Sequence, residues 1–284
     1  MAESKTKPSP GVVEPADLMT VTARTRSGLS YEAAGKGPAV LLMHAGLTDR
    51  RMWDPQWRRL TESFHAIRFD ARGFGASADP ARPYTLHGDA LDVLDALEIE
   101  RAAVVGASMG GGAALDMALA VPHRVSALVT VNSTPSGWHH TRDIMRQWEA
   151  VDAAYDRHGA DAANELEMKM WLDGPHRPTD EVDRDVRAAV GTVNRVLLER
   201  QAAFIVEPGE LVPPAMDRLG SLRCPSLVIT GELDQPSVVA GAFELARQAG
   251  AEHLEIAGAA HLPNLERPRE FLAAILPFLE RNAG

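Results

Sequence analysis

From Leu18 onward the chain alternates short apolar runs with longer segments of helical period. Met19–Arg26 and Leu29–Ala34 carry strand-forming residues, and the turn signal Ser27-Gly28 between them predicts an antiparallel pair. Ala39–Ala45 is apolar without a break, the mark of a strand buried on both faces of a sheet. A helix is predicted over Trp53–Ser63 and a strand over His65–Ala71. Leu86–Ile99 is an amphipathic helix whose Leu86, Ala90, Leu91, Leu94 and Leu97 share a face. A strand over Ala102–Val105, a helix over Gly111–Ala120 stopped by Pro122, and a strand over Ala127–Val131 follow. Strands alternating with helices imply right-handed crossovers and a mostly parallel sheet covered on both sides.

The rhythm breaks at Ser133 and resumes at Leu227. The residues between have helical periodicity and little strand character, and are punctuated at Gly174-Pro175, Pro178, Pro208-Gly209 and Pro213-Pro214. So long an insertion between two core strands is too large for a plain loop. It predicts a helical cap, residues 135–215, folded over the C-terminal edge of the sheet. The pattern then returns with strand Leu227–Thr230, helix Val238–Ala249, strand His253–Ile256 and a closing helix around Arg269–Glu280. The expected architecture is α/β: an eight-stranded sheet flanked by helices, formed by residues 18–134 and 216–284, with the cap inserted after the sixth strand. Residues 1–17, rich in Lys, Ser, Pro and Glu, are expected to be a disordered tail.

Composition narrows the function. Of 284 residues, 45% are apolar, enough for a sizeable core. The formal charge of −10 argues against nucleic acid or an anionic membrane as partner, since both attract Lys/Arg patches. No stretch approaches the roughly 18 apolar residues of a membrane span. The N-terminus lacks the apolar segment of a signal peptide. The single cysteine, Cys224, opens an apolar run and is read as a buried structural thiol. A chain without an internal disulfide fits the reducing cytoplasm. A homodimer is left open.

The chemistry begins at Gly106-Ala107-Ser108-Met109-Gly110, between an apolar strand and an Ala/Leu-rich helix. A nucleophile on a sharp strand-to-helix turn needs small residues two positions either side, where a Cβ would meet the neighbouring strand or helix. The helix behind it aims free N–H groups and a positive dipole end at developing negative charge. A serine hydroxyl is a poor nucleophile unaided, so Ser108 needs a base, and the base an orienting acid. Both are expected from loops after later strands, at the same sheet edge. Asp234 is the natural acid in Gly231-Glu232-Leu233-Asp234-Gln235-Pro236, with Glu232 its rival two residues away. His261 is the base, set among the small residues of Gly258-Ala259-Ala260-His261. Of the other histidines, His139-His140 begin the cap and His44 ends a strand, while His65, His87, His123, His158, His176 and His253 show no matched partner. No H-E-x-x-H or C-x-x-C spacing occurs, so neither metal nor cofactor is expected. Gly35-Lys36-Gly37 and Gly110-Gly111-Gly112 fit turn and close packing rather than nucleotide binding. The oxyanion donors are expected to be the N–H of Met109 and one from His44-Ala45-Gly46-Leu47, Gly46 first and Leu47 second.

With these residues in place the chain resembles the α/β-hydrolase superfamily over essentially everything after the tail. The segment Asp70-Ala71-Arg72-Gly73-Phe74-Gly75-Ala76-Ser77 matches the family's D-x-R-G-x-G-x-S loop, which lies beside the active site. Met52-Trp53-Asp54-Pro55-Gln56 and His261-Leu262-Pro263-Asn264-Leu265-Glu266-Arg267-Pro268 look most like the 3-oxoadipate enol-lactonase and small carboxylesterase branch. One departure is His44-Ala45-Gly46, where the family usually has His-Gly; alanine is tolerated there only if its φ is negative. The resemblance implies that His261, held by Asp234, takes the Ser108 proton. Attack on an ester or lactone carbonyl follows, then deacylation by water.

Substrate choice is assigned to the cap, where Trp138, Trp148 and Trp171, with Met168, Met170 and Leu47 of the oxyanion loop, are available to line an apolar pocket. For any one of them, plain packing of cap helices against the sheet is the simpler reading. Arg142, Arg146 and Lys169 are candidates to hold a substrate carboxylate, against the simpler reading of a solvated helical face. The expected partner is a small-molecule ester or lactone. Two rival readings use the same fold: a cofactor-free C–C hydrolase or tailoring enzyme on the same triad, and a non-enzymatic receptor.

Overall fold

The computed structural model describes residues 19–284; the tail expected over 1–17 lies outside them. Eight strands form one sheet in the order β1-β2-β4-β3-β5-β6-β7-β8. β1 (Val21–Arg24), β2 (Ser30–Ala34) and β4 (His65–Phe69) pair antiparallel in succession, while β3 (Ala39–Met43), β4, β5 (Ala102–Ala107), β6 (Val125–Val131), β7 (Ser226–Gly231) and β8 (Glu252–Ile256) run parallel. All eight expected strands are present, within a few residues of the limits read from the sequence.

The unbroken apolar runs are explained by burial on both faces. Along β3 and β5, Val40, Leu42, Ala103 and Val105 point to one layer, where Trp53, Leu60, Phe271 and Phe278 pack. Leu41, Val104 and Ala102 point to the other, with Val93, Leu94, Leu115 and Leu245. The first layer is covered by α1 (Asp54–Thr61) and the closing helix α9 (Pro268–Asn282). The second is covered by α2 (Leu86–Ala96), α3 (Met109–Ala120) and α7 (Pro236–Ala249). Each fully buried Leu or Phe contributes about 1.5–3 kcal/mol, so the centre of the sheet is its rigid part. On α2 the buried face differs from the expected leucine stripe. Asp89 and Val93 turn inward with Ala90 and Leu94, while Leu86, Leu91 and Leu97 are only partly covered.

Between β6 and β7 the chain forms α4 (Arg142–His158), α5 (Ala160–Glu167), a π-helical turn (Met168–Asp173) and α6 (Arg184–Gln201). This is the helical insertion after the sixth strand, with α5 packed against both α4 and α6. Among the described residues no helix is long and apolar enough to cross a membrane. Cys224 is half-buried rather than buried, because β7 starts two residues later and leaves it at the sheet margin.

The parallel registers fix where the chemistry sits. Met43 pairs with Gly106, Ala107 with Val131, Val131 with Ile229 and Gly231 with Ile256. The C-terminal ends of β3, β5, β6, β7 and β8 therefore lie side by side, and so do the loops that leave them.

Candidate active site

Ser108 follows β5 and caps α3 with φ 51° and ψ −117°, a conformation L-residues rarely adopt. Its N–H donates to the Val131 carbonyl at 2.8 Å, and its own carbonyl accepts from Gly111 and Gly112 at 2.9 and 3.0 Å. A Cβ on Gly106 would overlap the Gly110 backbone. One on Gly110 would lie 2.5 Å from the Met43 carbonyl oxygen. Both flanking glycines are thus required by close backbone approach, which lets the turn fold back on itself and lift the serine.

The loops after β7 and β8 bring Asp234 and His261 to this turn. His261 Nδ1 lies 2.8 and 3.0 Å from the Asp234 carboxylate oxygens, and Nε2 lies 2.8 Å from Ser108 Oγ. Asp234 and His261 are buried; Ser108 is half-buried. Glu232, the rival acid, turns away, and its carboxylate accepts the Gly258 N–H at 2.8 Å. Backbone bonds orient the two carboxylates differently: Asp234 N–H closes a turn onto Gly231, and Leu233 N–H reaches the Ala259 carbonyl at 2.8 Å.

Gly46 and Met109 meet at this place. The Gly46 Cα faces Met109 Cβ and Sδ, with room for a Cβ at 3.8 Å. Neither their N–H groups nor that of Leu47 donates to a protein acceptor among the described residues. The side chain of Leu47 is buried in the layer with Met52 and Trp53. Ala45 is not among the residues of positive φ, so alanine sits without strain where the family has glycine. His44 is buried and hydrogen-bonded through both ring nitrogens. Its Nε2 accepts the Ala71 N–H at 2.9 Å and its Nδ1 donates to the Ala45 carbonyl at 2.8 Å. Burial lowers its pKa, so it is a neutral brace between two loops.

Behind it, Asp70–Ser77 is held by its own motif residues. Asp70 accepts N–H bonds from Arg50 and Ala76, Ser77 receives the Ser30 N–H, and Arg72 forms a buried ion pair with Asp89 at 2.6 Å.

The insertion supplies aromatic rings. Trp171 lies against the His261 imidazole, centroids 4.3 Å apart, and Trp148 lies between Trp171 and His140. Trp138 donates its indole N–H to the Ser237 carbonyl and borders a cavity of about 550 Å³. That cavity runs along the face of α3 carrying Met109, Gly112, Ala113 and Asp116, and is closed by Glu207 and Glu210. Burial raises Asp116 to about 6, despite a hydrogen bond from Ser136. A second, more apolar cleft of about 620 Å³ lies on the Thr48 side, under Val190, Val193 and Leu197 of α6. Arg142, Arg146 and Lys169 are exposed and border neither cavity; Arg146 and Lys169 pair with Asp143 and Glu165 on their own helical stretch.

Three residues not singled out from sequence support the site. Asn132, at φ 45°, receives the Gly231 N–H and donates to the Ala260 carbonyl, both at 2.8 Å, tying β6 to the Asp234 and His261 loops. Glu266 and Arg177 form a buried pair beneath the His261 loop. An asparagine directly after an apolar strand, where αL backbone is tolerated, was the available signal for the first. A long-range pair such as the second leaves none.

A model of the α/β hydrolase fold family matches residues 38–268. The chain is 27% identical over 267 residues to 3-oxoadipate enol-lactonase 1 of Acinetobacter baylyi, covering 92% of this chain and 96% of that one. The enol-lactonase structure from Burkholderia xenovorans LB400 superposes with a TM-score of 0.73 at 26% identity, over 92% of this chain and 100% of the other. A hydrolase structure from Pseudomonas aeruginosa gives a TM-score of 0.72 at 30% identity, over 94% and 99%.

Proposed function

This chain belongs to the α/β-hydrolase fold family and is a hydrolase, and within that family we propose that it cleaves a carboxylic ester or lactone of a small organic molecule through an acyl-enzyme. The observation that carries this reading is the relay Asp234–His261–Ser108, unbroken at 2.8 Å per link, ending on a serine raised at a helix N-terminus. In this reading His261 Nε2 takes the Ser108 proton as Oγ attacks the substrate carbonyl. Asp234 stabilises the imidazolium and fixes its tautomer. The oxyanion is held by the Gly46 and Met109 N–H groups, which have no competing acceptor among the described residues. His261 then gives the proton to the leaving alkoxide and activates water for deacylation. Residues 135–215 act as the cap over this edge. The likeness to two enol-lactonases supports ester or lactone chemistry.

Within that class the cavity beside Met109 favours an uncharged substrate. Asp116, Glu207 and Glu210 border it and, among the described residues, no lysine or arginine does. A substrate carboxylate there meets repulsion of a few kcal/mol before screening. The test is hydrolysis of a p-nitrophenyl ester panel by wild type and Ser108→Ala, followed by neutral and carboxylate-bearing lactones of equal size. Loss of roughly 10⁴-fold or more in the mutant is expected, with the neutral lactone preferred about tenfold or more in kcat/KM. An inert wild type, or a mutant equal to it, overturns the reading. A preference for the anionic lactone overturns the substrate assignment alone.

A further inference from the structure

The insertion reaches below the roof of the site, into the loops that carry the acid and the base. Its π-helical turn Met168–Asp173 is of a rare kind that tends to occur at functional sites. The last carbonyls of such a segment have no intrahelical donor, and here two of them are taken up by the neighbouring loops. The Trp171 carbonyl accepts the His261 N–H at 3.2 Å, and the Met170 carbonyl accepts from Gln235 Nε2 at 2.7 Å. The residue after the turn is Gly174, whose missing Cβ allows it to pack on the Leu233 carbonyl. Contacts to the residues flanking Asp234 and to His261 itself thus come from one short segment.

A second lock follows at Arg177. Its guanidinium donates to the Leu172 and Asp173 carbonyls of the turn, to the Gly258 carbonyl at 3.2 Å, and to Glu266 at 2.6 Å. The Glu266 carboxylate in turn accepts the N–H groups of Ala260 and Leu262, either side of His261, at 3.0–3.1 Å. The pair is almost fully buried, at 6% and 3% exposure, so removing either partner strands the other. Trp171 also lays its ring against the imidazole at 4.3 Å, tilted by 36°. A ring face at that distance attracts the imidazolium more than the neutral imidazole.

We propose that Trp171, with the Arg177–Glu266 pair behind it, is a positioning element for His261, holding the imidazole in line with Ser108 and favouring its protonated form during acyl transfer. The inference rests on the reading of His261 as the base. Trp171 acts here through the histidine and not as a wall of the substrate pocket; it borders neither large cavity.

The experiment compares wild type with Trp171→Leu, Trp171→Phe and Glu266→Gln. It measures kcat and KM on a p-nitrophenyl ester, the rate of inactivation by a fluorophosphonate, and the downfield proton resonance of the His261 Nδ1–H bonded to Asp234. Trp171→Leu is expected to lower kcat and the inactivation rate together, by about 3- to 30-fold, with KM little changed. The Nδ1–H resonance is expected to shift or broaden. Trp171→Phe should recover most of the loss, and Glu266→Gln should reproduce it without touching the ring. If Trp171→Leu does not fold, Trp171→Met carries the same expectation with an unbranched side chain. A raised KM at unchanged kcat and inactivation rate would make Trp171 a substrate contact and overturn the proposal, as would no change in any readout. A wild type that fluorophosphonate does not label counts against the serine-hydrolase reading instead, and the resonance then decides the positioning role separately.

Discussion

At the scale of single residues, Ser108 is where the proposed function and conformational preference conflict. Its φ of 51° with ψ of −117° brings Cβ against its own backbone, a cost of order 1–3 kcal/mol that the surrounding bonds must override. The restraints are visible: Val131 holds the N–H, Gly111 and Gly112 hold the carbonyl, and Gly106 and Gly110 leave the turn room to close. Two variants that abolish the hydroxyl should therefore differ in stability. Ser108→Gly removes the Cβ that causes the strain, while Ser108→Ala keeps it. We expect Ser108→Gly to be the more stable by about 1 kcal/mol in urea unfolding, even though glycine loses more chain entropy on folding. Equal midpoints for the two would mean that this backbone is not strained. Asn132, at φ 45°, has a different remedy, since a short amide side chain tolerates that region and here finds a donor and an acceptor to tie together.

At the scale of elements, the strands were legible because burial on both faces writes them as unbroken apolar runs, and helix α3 because the glycines around Ser108 announce the turn before it. The order of Asp234 and His261 after Ser108 located their loops and made Asp234 the natural acid, but the backbone bonds that turn Glu232 away toward Gly258 are not encoded in composition. The π-turn was not legible. Its Met-Lys-Met-Trp-Leu-Asp sequence fits an ordinary helix, and the bonds its carbonyls accept from His261 and Gln235 are long-range contacts that a local pattern does not record. Helix α2 was legible except for Asp89, whose inward turn depends on a partner seventeen residues earlier in the chain. That partner is Arg72, and the pair is the anchor of the Asp70–Ser77 loop against α2. With both side chains 8% and 5% exposed, Arg72→Met leaves a buried carboxylate without its partner and should cost about 3–5 kcal/mol. Adding Asp89→Leu removes the stranded charge and should restore much of that loss. A double variant as unstable as the single, in chemical denaturation, would show that the guanidinium matters through packing over Tyr84 rather than through its charge.

For the whole molecule, acidity is the governing electrostatic fact, and part of it is placed where it costs stability. A formal charge of −10 disfavours compactness wherever carboxylates cluster. Asp116 sits on α3 in such a place. Burial is the main reason its pKa rises to about 6, Glu210 adds to the rise, and Ser136 and Arg218 only partly offset it. In the unfolded chain the same group titrates near 3.8. Between these values the folded protein holds more protons than the unfolded one, so this residue lowers stability as pH rises from about 4 to about 6. Above that window the penalty is complete, and below it the two states are protonated alike. Asp116→Asn keeps the oxygen that accepts from Ser136 and removes the titration. We expect the variant to match wild type in unfolding free energy below pH 4, to gain on it across the window, and to stay more stable at pH 8 by about 1–2 kcal/mol after solvent screening. Urea unfolding at several pH values checks this, and comparing the two proteins at each pH cancels every other titrating group. A difference independent of pH would mean that Asp116 is not desolvated. Because Asp116 borders the cavity beside Met109, the same substitution should also weaken the preference for a neutral lactone over an anionic one at pH 8. It should change that preference little near pH 5, where the native Asp116 carboxyl is already largely protonated while a substrate carboxylate is still ionised. A carboxylate whose partners only partly offset its burial, held at the edge of the proposed substrate cavity, is thereby tied to what the site admits as well as to how firmly the fold holds.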